Sequence, residues 1–489
     1  MPLQVLDHTT RTKHPFQPVR EGHAGLYTCG LTVQDDPHLG HMFAFVACDM
    51  IRRYLGHLGY EVTHVQNFTD IDDKIIQRAR REGRDWRQVA QRNIDRYHEA
   101  AAALAIQPAH HYPRVTDHVD DIIAMVERLI ARGHAYASGG DVYFRVRSYD
   151  DYGRLSGRDL DQMRAGVRVE VDDRKQDPLD FTLWKRSADD EPGWDSPWGR
   201  GRPGWHIECS AMATRYLGPH FDFHGGGRDL LFPHHENELA QGCCATGEPY
   251  ANHWLHNGLL YLGNTKMSKS DGNFLAMDVL LDKHPAAELR FFLLNAHFRS
   301  QLDFSPQRLA ESAAAYQRLR RGAERLHRAA ADAGQDTGDR VPEGLLSAPG
   351  GRLAQAVDAR RRGFFACMDD DFNSGGAIGE LFGLVRDLNQ YLTATGDRGL
   401  DPAPLTAARD LIDEADAILG LFPGGLDLVA ADPDAVPEAI RSLVDERDHA
   451  RQARDFARAD ALRDRIEAEG YSVEDGPHGS TVRRAERTA

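Results

Sequence analysis

Apolar residues follow two periodicities along this chain of 489 residues, and the switches between them mark out its parts. From Ala24 to Cys29 a short apolar run reads as a buried strand, and Val62 to Phe68 reads as a second. Between them Leu39, Phe43, Val46, Met50 and Tyr54 recur at the three-to-four spacing of a helix. Strand, loop, helix, strand is a βαβ unit. Its helix begins near His38-Leu39-Gly40-His41, where backbone N–H groups and the positive end of the helix dipole would face an anion.

Farther on, residues 115–200 carry helix-like and then strand-like patterns that end in the polar run SADDEPGWDSPWGRGRPG, which reads as an insertion. Strand and helix alternation resumes in GWHIECSAM and FDFHGGGRDLLFPHHENELAQ, as expected for the second half of a parallel-sheet domain. From 284 to 420, Ala, Leu and Arg at helical spacing predict a helical bundle, with breaks at GQDTGDRVPEG and LSAPGG. After the linker FPGGLDLVAADPDAVP come an Arg-rich helical stretch and a hairpin signal, YSVEDGPHGSTVRR. The expected fold is therefore α/β: a Rossmann-like parallel-sheet catalytic domain with an insertion, an α-helical bundle, and a small C-terminal α+β tail. The predicted divisions are 1–114 and 201–260 for the two catalytic halves, 115–200 for the insertion, 261–310 for a connecting segment, 311–421 for the bundle and 437–489 for the tail.

Composition narrows this picture. Hydrophobic content of 41% is enough for globular cores. No stretch approaches the roughly 20 apolar residues of a membrane span and no leader-like apolar segment opens the chain, so a cytoplasmic protein is expected. Six cysteines in so long a chain do not resemble a disulfide framework, which leaves them as core residues or metal ligands. The formal charge of −16 argues against nonspecific coating of nucleic acid, although not against a local basic surface. Only seven of the 59 basic residues are lysines, and two of those are Lys266 and Lys269.

Three groups of residues carry candidate chemistry. His38 and His41 lie about one turn apart and can both serve a phosphate at the helix start, while Gly40 allows close approach to the backbone. Lys266, Ser268, Lys269 and Ser270 lie in GNTKMSKSDGNF, bracketed by Gly263 and Gly272, and suit a loop that clamps the β- and γ-phosphates of ATP. The third group is dispersed. Cys29 ends the first strand, Cys209 lies in WHIECS, and His234 and Glu238 stand four apart on a predicted helix, on one face. Two thiolates, an imidazole and a carboxylate suit tetrahedral Zn²⁺, but His235 with Glu238 is sterically open as well, and spacing alone favours buried core cysteines.

Seven segments in order, LYTCGLTVQDDPHLGHM, HVQNFTDIDDKII, PRVTDH, GRPGWHIECSAM, GGGRDLLFPHHENE, TKMSKSDGN and RDFARADALRDRIEAEG, make the chain resemble the cysteinyl-tRNA synthetases, a class I aminoacyl-tRNA synthetase family. The resemblance covers nearly the whole length. It implies ATP-dependent ligation of L-cysteine to cysteine tRNA through a cysteinyl adenylate, with Mg²⁺ on the ATP. It assigns one Zn²⁺ to Cys29, Cys209, His234 and Glu238, bound to the thiolate of the substrate, and so prefers His234 to His235. It also implies that Trp205 packs by the substrate side chain, that Thr69 and Asp229 orient its backbone, that the bundle and tail bind tRNA, and that the protein is a monomer.

Leu31, Arg228 and Asp271 depart from the family pattern, and Asp271 puts the lysine loop most in question. Two rivals share the scaffold: a ligase joining cysteine to an amino sugar, and a non-catalytic tRNA-binding paralogue. The Arg-rich tail, from Arg441 and Arg447 onward, favours an RNA-facing surface over the first. Intact histidines, lysines and metal ligands argue against the second.

Overall fold

The computed structural model describes residues 2–160, 173–262, 265–266, 275–335, 348–396, 399–426, 437–453, 455–476 and 479–484. The site is positioned by seven elements: β1 (His23–Thr32), α1 (Leu39–His57), β2 (Glu61–Thr69), α2 (Ile207–Leu217), β3 (Phe221–Gly227), α3 (Glu236–Thr246) and β4 (Ala251–Asn257). The strands form one sheet in the order β4-β3-β1-β2, with every neighbouring pair parallel. Covered on both faces, β3 is buried along almost its whole length and β1 is buried without a break from Leu26 to Cys29, as a parallel sheet requires. Chain order reverses between β1 and β3, because β2 lies on one side of β1 and β3 on the other. A crevice at the carboxyl ends of β1 and its neighbours β2 and β3 follows from this reversal.

Two cores flank the sheet. On one side α1 presents Met42, Met50 and Tyr54 to Leu289, Phe372 and Leu411 of the helical region. On the other, α2 and the insertion bury Ile207, Met212, Val126 and Trp184 together. The insertion is a helix, Val119–Ala131, and an antiparallel sheet of Ala135–Ser138, Asp141–Phe144, Phe181–Arg186 and Gly201–Pro203. The polar run thus closes on a fourth strand just before Trp205. Buried Asp49 of α1 accepts from Arg290 Nη2 at 2.6 Å, and Arg290 also donates to the carbonyls of Leu419 and Leu104. This arginine ties α1 to the bundle.

The bundle consists of helices Ala286–Leu294, Pro306–Gln335, Ala348–Met368, Ser374–Thr395 and Pro402–Leu419. Part of LSAPGG, expected as a break, is instead the beginning of a helix. Pro349 sits in its first turn, where a backbone N–H has no intrahelical partner to lose. The tail packs helices Glu438–Gln452 and Phe456–Ala468 against a hairpin of Tyr471–Gly476 and Gly479–Arg484, around Ile440, Val444 and Ile466. Arg447, expected to face RNA, is buried there and donates to Ser480 Oγ at 2.8 Å. It holds the hairpin to the helix. Among the described residues no helix is long and apolar enough to cross a membrane.

Candidate active site

The strand that sequence reading ended at Cys29 continues to Thr32 through an irregularity, since the pairing of β1 with β2 shifts between Thr28 and Leu31. Such a bulge re-aims a side chain where regular alternation would not. Gly30 makes it sterically feasible: a Cβ there would lie 1.5 Å from the carbonyl oxygen of Asn67, and the Gly30 N–H donates to Asn67 Oδ1 at 2.9 Å. Cys29 is buried beside Cys209, from the first turn of α2, with their sulfurs 3.7 Å apart.

The other two members come from the run between β3 and β4. Phe232 is extended, which breaks the chain direction, and it is the only residue of Leu231–His235 with non-helical backbone. His234 is therefore held one turn before Glu238, with Nε2 2.9 Å from Glu238 Oε1. The same oxygen lies 3.3 Å from Cys29 Sγ. His224 Nε2 lies 2.8 Å from the second carboxylate oxygen, and His206 Nδ1 lies 2.8 Å from His234 Nδ1. Donor atoms of Cys29, Cys209, His234 and Glu238 all lie within 4.8 Å of one another.

A second set, Cys29, His224, His235 and Glu238, meets the same distance limit. The first opens to the cleft through three of its members, the second only through Cys29, which the two sets share. Cys29, Cys209 and His234 line the cleft described below, whereas His224 and His235 lie behind them. His235 Nδ1 is 2.8 Å from His256 Nε2, and His256 Nδ1 is 3.1 Å from Nε2 of the half-buried His8, a file of imidazoles behind the cleft wall. Burial holds His235 and His256 well below the ordinary imidazole range.

The four groups of the first set perturb one another strongly. Burial opposes ionisation of Glu238, but His224 and His234 outweigh it and hold the carboxyl well below its usual range. Burial likewise opposes a charged His234, yet Glu238 and Cys209 bring its value to about 10. Cys209 falls to about 6 against burial, through the Cys29 thiol and His234, while burial and its neighbours push Cys29 well up. The donor set fits zinc geometrically too. Two sulfurs about 2.3 Å from a tetrahedral zinc lie about 3.8 Å apart, close to the spacing here and far from the roughly 2.05 Å of a disulfide.

At the other end of the cleft, His38 is the N-cap of α1, with extended backbone. The His41 N–H donates to His38 Nδ1 at 3.2 Å and the His38 N–H to His41 Nδ1 at 3.4 Å, a capping box made of imidazoles. The rings stack with centroids 3.4 Å apart. Because both Nδ1 atoms accept, the proton of each neutral ring sits on Nε2, the atom that can donate to a phosphate.

The lysine segment is tied to this end on both sides. Thr265–Lys266 pairs antiparallel with Leu260–Leu262, whose first residue lines the cleft. After the segment, the Leu39 N–H donates to the Leu275 carbonyl at 3.2 Å and the Met277 N–H to the Pro37 carbonyl at 3.1 Å. Ser268, Lys269, Ser270 and Asp271 lie outside the described residues, as does the side chain of Lys266.

One cleft of about 380 Å³ at the carboxyl ends of β1 and β2 brings together Cys29, His38, Gly40, His41, Thr69, Trp205, Cys209, Asp229 and His234, with Glu238 buried beneath. Trp205 is 40% exposed and its ring centroid lies 4.4 Å from that of His234, so it walls the cleft rather than filling a core. The Thr69 hydroxyl donates to Glu208 Oε2 at 2.7 Å, a carboxyl that burial and the neighbouring Cys209 raise well above its usual range. Leu31, one of the three departures, lies on the cleft wall, and Arg228 starts the short turn that carries Asp229.

Sequence reading missed Asn67, Lys74, His224 and Glu208. Lys74 had a signal available: it is another of the seven lysines and lies at the start of the helix that follows β2. Asn67 and His224 look like ordinary strand residues until the register is known.

A parallel sheet with a switch-point cleft, a histidine-capped helix at its mouth and a helical bundle behind defines a class I aminoacyl-tRNA synthetase. The family model of the tRNA synthetases class I (C) catalytic domain matches residues 15–314, the DALR domain residues 363–423, and the cysteinyl-tRNA ligase anticodon binding domain residues 433–483. Methionyl-tRNA synthetase of Mycobacterium tuberculosis, solved with methionyl-adenylate, shares the fold at a TM-score of 0.61 and 18% identity, over 82% of this chain and 90% of that one. The cysteine-tRNA ligase of Geobacter sulfurreducens is 46% identical over 98% of this chain and 99% of its own length. That of Alkalilimnicola ehrlichii is 47% identical over 99% and 100%. The chain belongs to the cysteine-tRNA ligase family.

Proposed function

We propose that this enzyme ligates L-cysteine to its tRNA in two steps, with both steps in the cleft between the thiol cluster and the histidine cap. The cysteine carboxylate attacks the α-phosphorus of Mg²⁺-bound ATP, giving cysteinyl adenylate and pyrophosphate. A terminal ribose hydroxyl of the tRNA then takes the cysteinyl group and releases AMP. No side chain acts as a covalent nucleophile, so catalysis is positioning and electrostatic stabilisation.

His38 and His41 donate from Nε2 to oxygens of the phosphate under attack, and Gly40 leaves room for the nucleotide. Lys266, Ser268, Lys269 and Ser270 hold the outer phosphates until pyrophosphate departs. Asp229 takes the ammonium group of the amino acid, Thr69 borders its backbone, and Trp205 closes over its side chain. Cys29, Cys209, His234 and Glu238 would hold zinc. Zinc held there would supply a Lewis acid with far more affinity for a thiolate than for a serine hydroxyl.

The observation that carries this reading is the union, in one cleft, of three members of the thiol, imidazole and carboxylate set with the His38–His41 cap. The match of residues 433–483 to an anticodon binding domain supports tRNA over an amino sugar as acceptor. Cysteine-dependent exchange of labelled pyrophosphate into ATP tests the first step, and charging of cysteine tRNA tests the second. Exchange without transfer to tRNA, but with transfer to an amino sugar, would overturn the acceptor assignment.

A further inference from the structure

Of the described residues that line the cleft, Lys74 is the only one with an ammonium or guanidinium group. It lies in the first turn of helix Asp73–Glu82, a short step past Thr69 at the carboxyl end of β2. The backbone there is held firmly. Asp72 caps the helix by accepting from the Lys74 N–H at 2.8 Å, and Ile75 and Ile76 are buried. The Lys74 side chain is exposed, and among the described residues its ammonium group makes no hydrogen bond or ion pair.

Other lysines of the chain are not left so. Lys13 binds Asp370 at 2.5 Å, and Lys185, from the sheet of the insertion, binds Asp73 at 2.6 Å. Asp73 also takes Arg202 of the same sheet. The two carboxylates before Lys74 are therefore both engaged, Asp72 with the helix start and Asp73 with two cations. Neither takes the Lys74 ammonium.

The charges of the reactants say what this cation can meet. Cysteine brings an ammonium group, for which the cleft offers Asp229, and a carboxylate; ATP brings its phosphates. His38 and His41 meet the phosphate under attack from the start of α1, and the lysine segment is tied to that same end. The end of β2 lies instead against the thiol cluster, since Thr69 bonds Glu208, the residue before Cys209. Lys74 thus enters the cleft on the amino-acid side, where the carboxylate is the one reactant charge without a counter-charge. That carboxylate must approach a phosphorus that carries negative oxygens. A fixed cation beside it lowers the repulsion and sets which oxygen is presented. A lysine ammonium is a compact point charge, able to hold one carboxylate oxygen and leave the other free.

We propose that the Lys74 ammonium binds the α-carboxylate of cysteine and presents its free oxygen to the α-phosphorus of ATP. The assignment rests on the reading of the cleft as the site of cysteine activation and names the group that holds the nucleophile. In that step the free carboxylate oxygen forms the bond to phosphorus. The bond from phosphorus to the bridging oxygen breaks, its electron pair leaves with pyrophosphate, and no proton moves.

The test compares binding of L-cysteine with that of cysteamine, which keeps the thiol and the amine but lacks the carboxylate. Titration calorimetry is done on the zinc-loaded full-length protein, on Lys74→Met and on Lys74→Arg, with zinc content measured in each. The parent should bind cysteine more tightly than cysteamine. In Lys74→Met the Kd for cysteine should rise about 10- to 100-fold while that for cysteamine and the KM for ATP in pyrophosphate exchange stay as in the parent. Lys74→Arg should recover most of the preference for cysteine. Equal weakening of both ligands would mark a structural role, and a raised KM for ATP with the preference intact would place Lys74 on the nucleotide; either result overturns the proposal. A parent that binds cysteine, with a Lys74→Met variant that prefers it just as strongly, overturns this assignment alone. A parent that neither binds cysteine nor exchanges pyrophosphate overturns the activation reading and this assignment with it.

Discussion

The two ends of the cleft are built in opposite ways. The thiol end draws Cys29, Cys209, His234 and Glu238 from three separate stretches of chain and buries them all, with Asn67, His206 and His224 behind Cys209, His234 and Glu238. The phosphate end is local: His38 and His41 satisfy each other's backbone N–H groups within a single turn, at the surface of the cleft. A buried, cross-braced cluster should fail as a unit, costing stability as well as chemistry. A capped helix start should lose its chemistry while the fold survives.

The largest effect expected from that contrast is at Glu238. Glu238→Gln leaves His224 and His234 buried without the carboxylate both face, a change that costs about 3–5 kcal/mol when one partner of a buried pair is removed. Denaturant unfolding of the chelated protein measures it, and a loss under about 1 kcal/mol would break the comparison. At the other end His38→Asn separates two roles, because asparagine is a good N-cap but lacks the imidazole Nε2–H. Pyrophosphate exchange should fall about 100- to 1000-fold with unfolding and zinc content unchanged. Parallel loss of stability would mean that the stacked histidines are structural.

A smaller effect is expected one layer out from the cluster. His224 braces Glu238 without lining the cleft, so His224→Gln should weaken zinc affinity about 10- to 100-fold in a chelator competition, with KM for ATP unaltered. The least effect concerns pH. His64 lies under the cluster strand, its Nε2 3.1 Å from Thr28 Oγ1, and burial with Arg52 nearby lowers it to about 3. The folded ring stays neutral while the unfolded one gains a proton below about pH 6.5. Its contribution to stability is therefore complete above that pH and is lost as pH falls toward 3. Between pH 6.5 and 5.5 the loss should approach about 1 kcal/mol, and His64→Gln should flatten the slope by that amount.

The same contrast explains what could be read from the residues. The phosphate end is contiguous, so HLGH and the start of a helix were visible together, and the βαβ alternation around them follows directly from apolar spacing. The reciprocal capping by imidazoles was not visible, because it depends on the extended backbone of His38. The thiol cluster spans strands whose order becomes known only with the sheet: β3 lies beside β1 despite some two hundred intervening residues. The bulge at Cys29 and Gly30, the bracing by His224, and the burial of Arg447 are consequences of register and packing, which periodicity does not encode. Spacing alone left His234 and His235 open and the resemblance preferred the first; in the structure His234 lines the cleft while His235 meets His256.

The central claim is that the cluster, through bound zinc, selects cysteine. Its most direct test is cysteine-dependent pyrophosphate exchange by Cys29→Ser, with zinc measured in the same sample. The expected result is a protein that folds, holds well under one zinc per chain, and exchanges pyrophosphate at a small fraction of the parent rate. Full cysteine-dependent exchange by a zinc-free protein would contradict it.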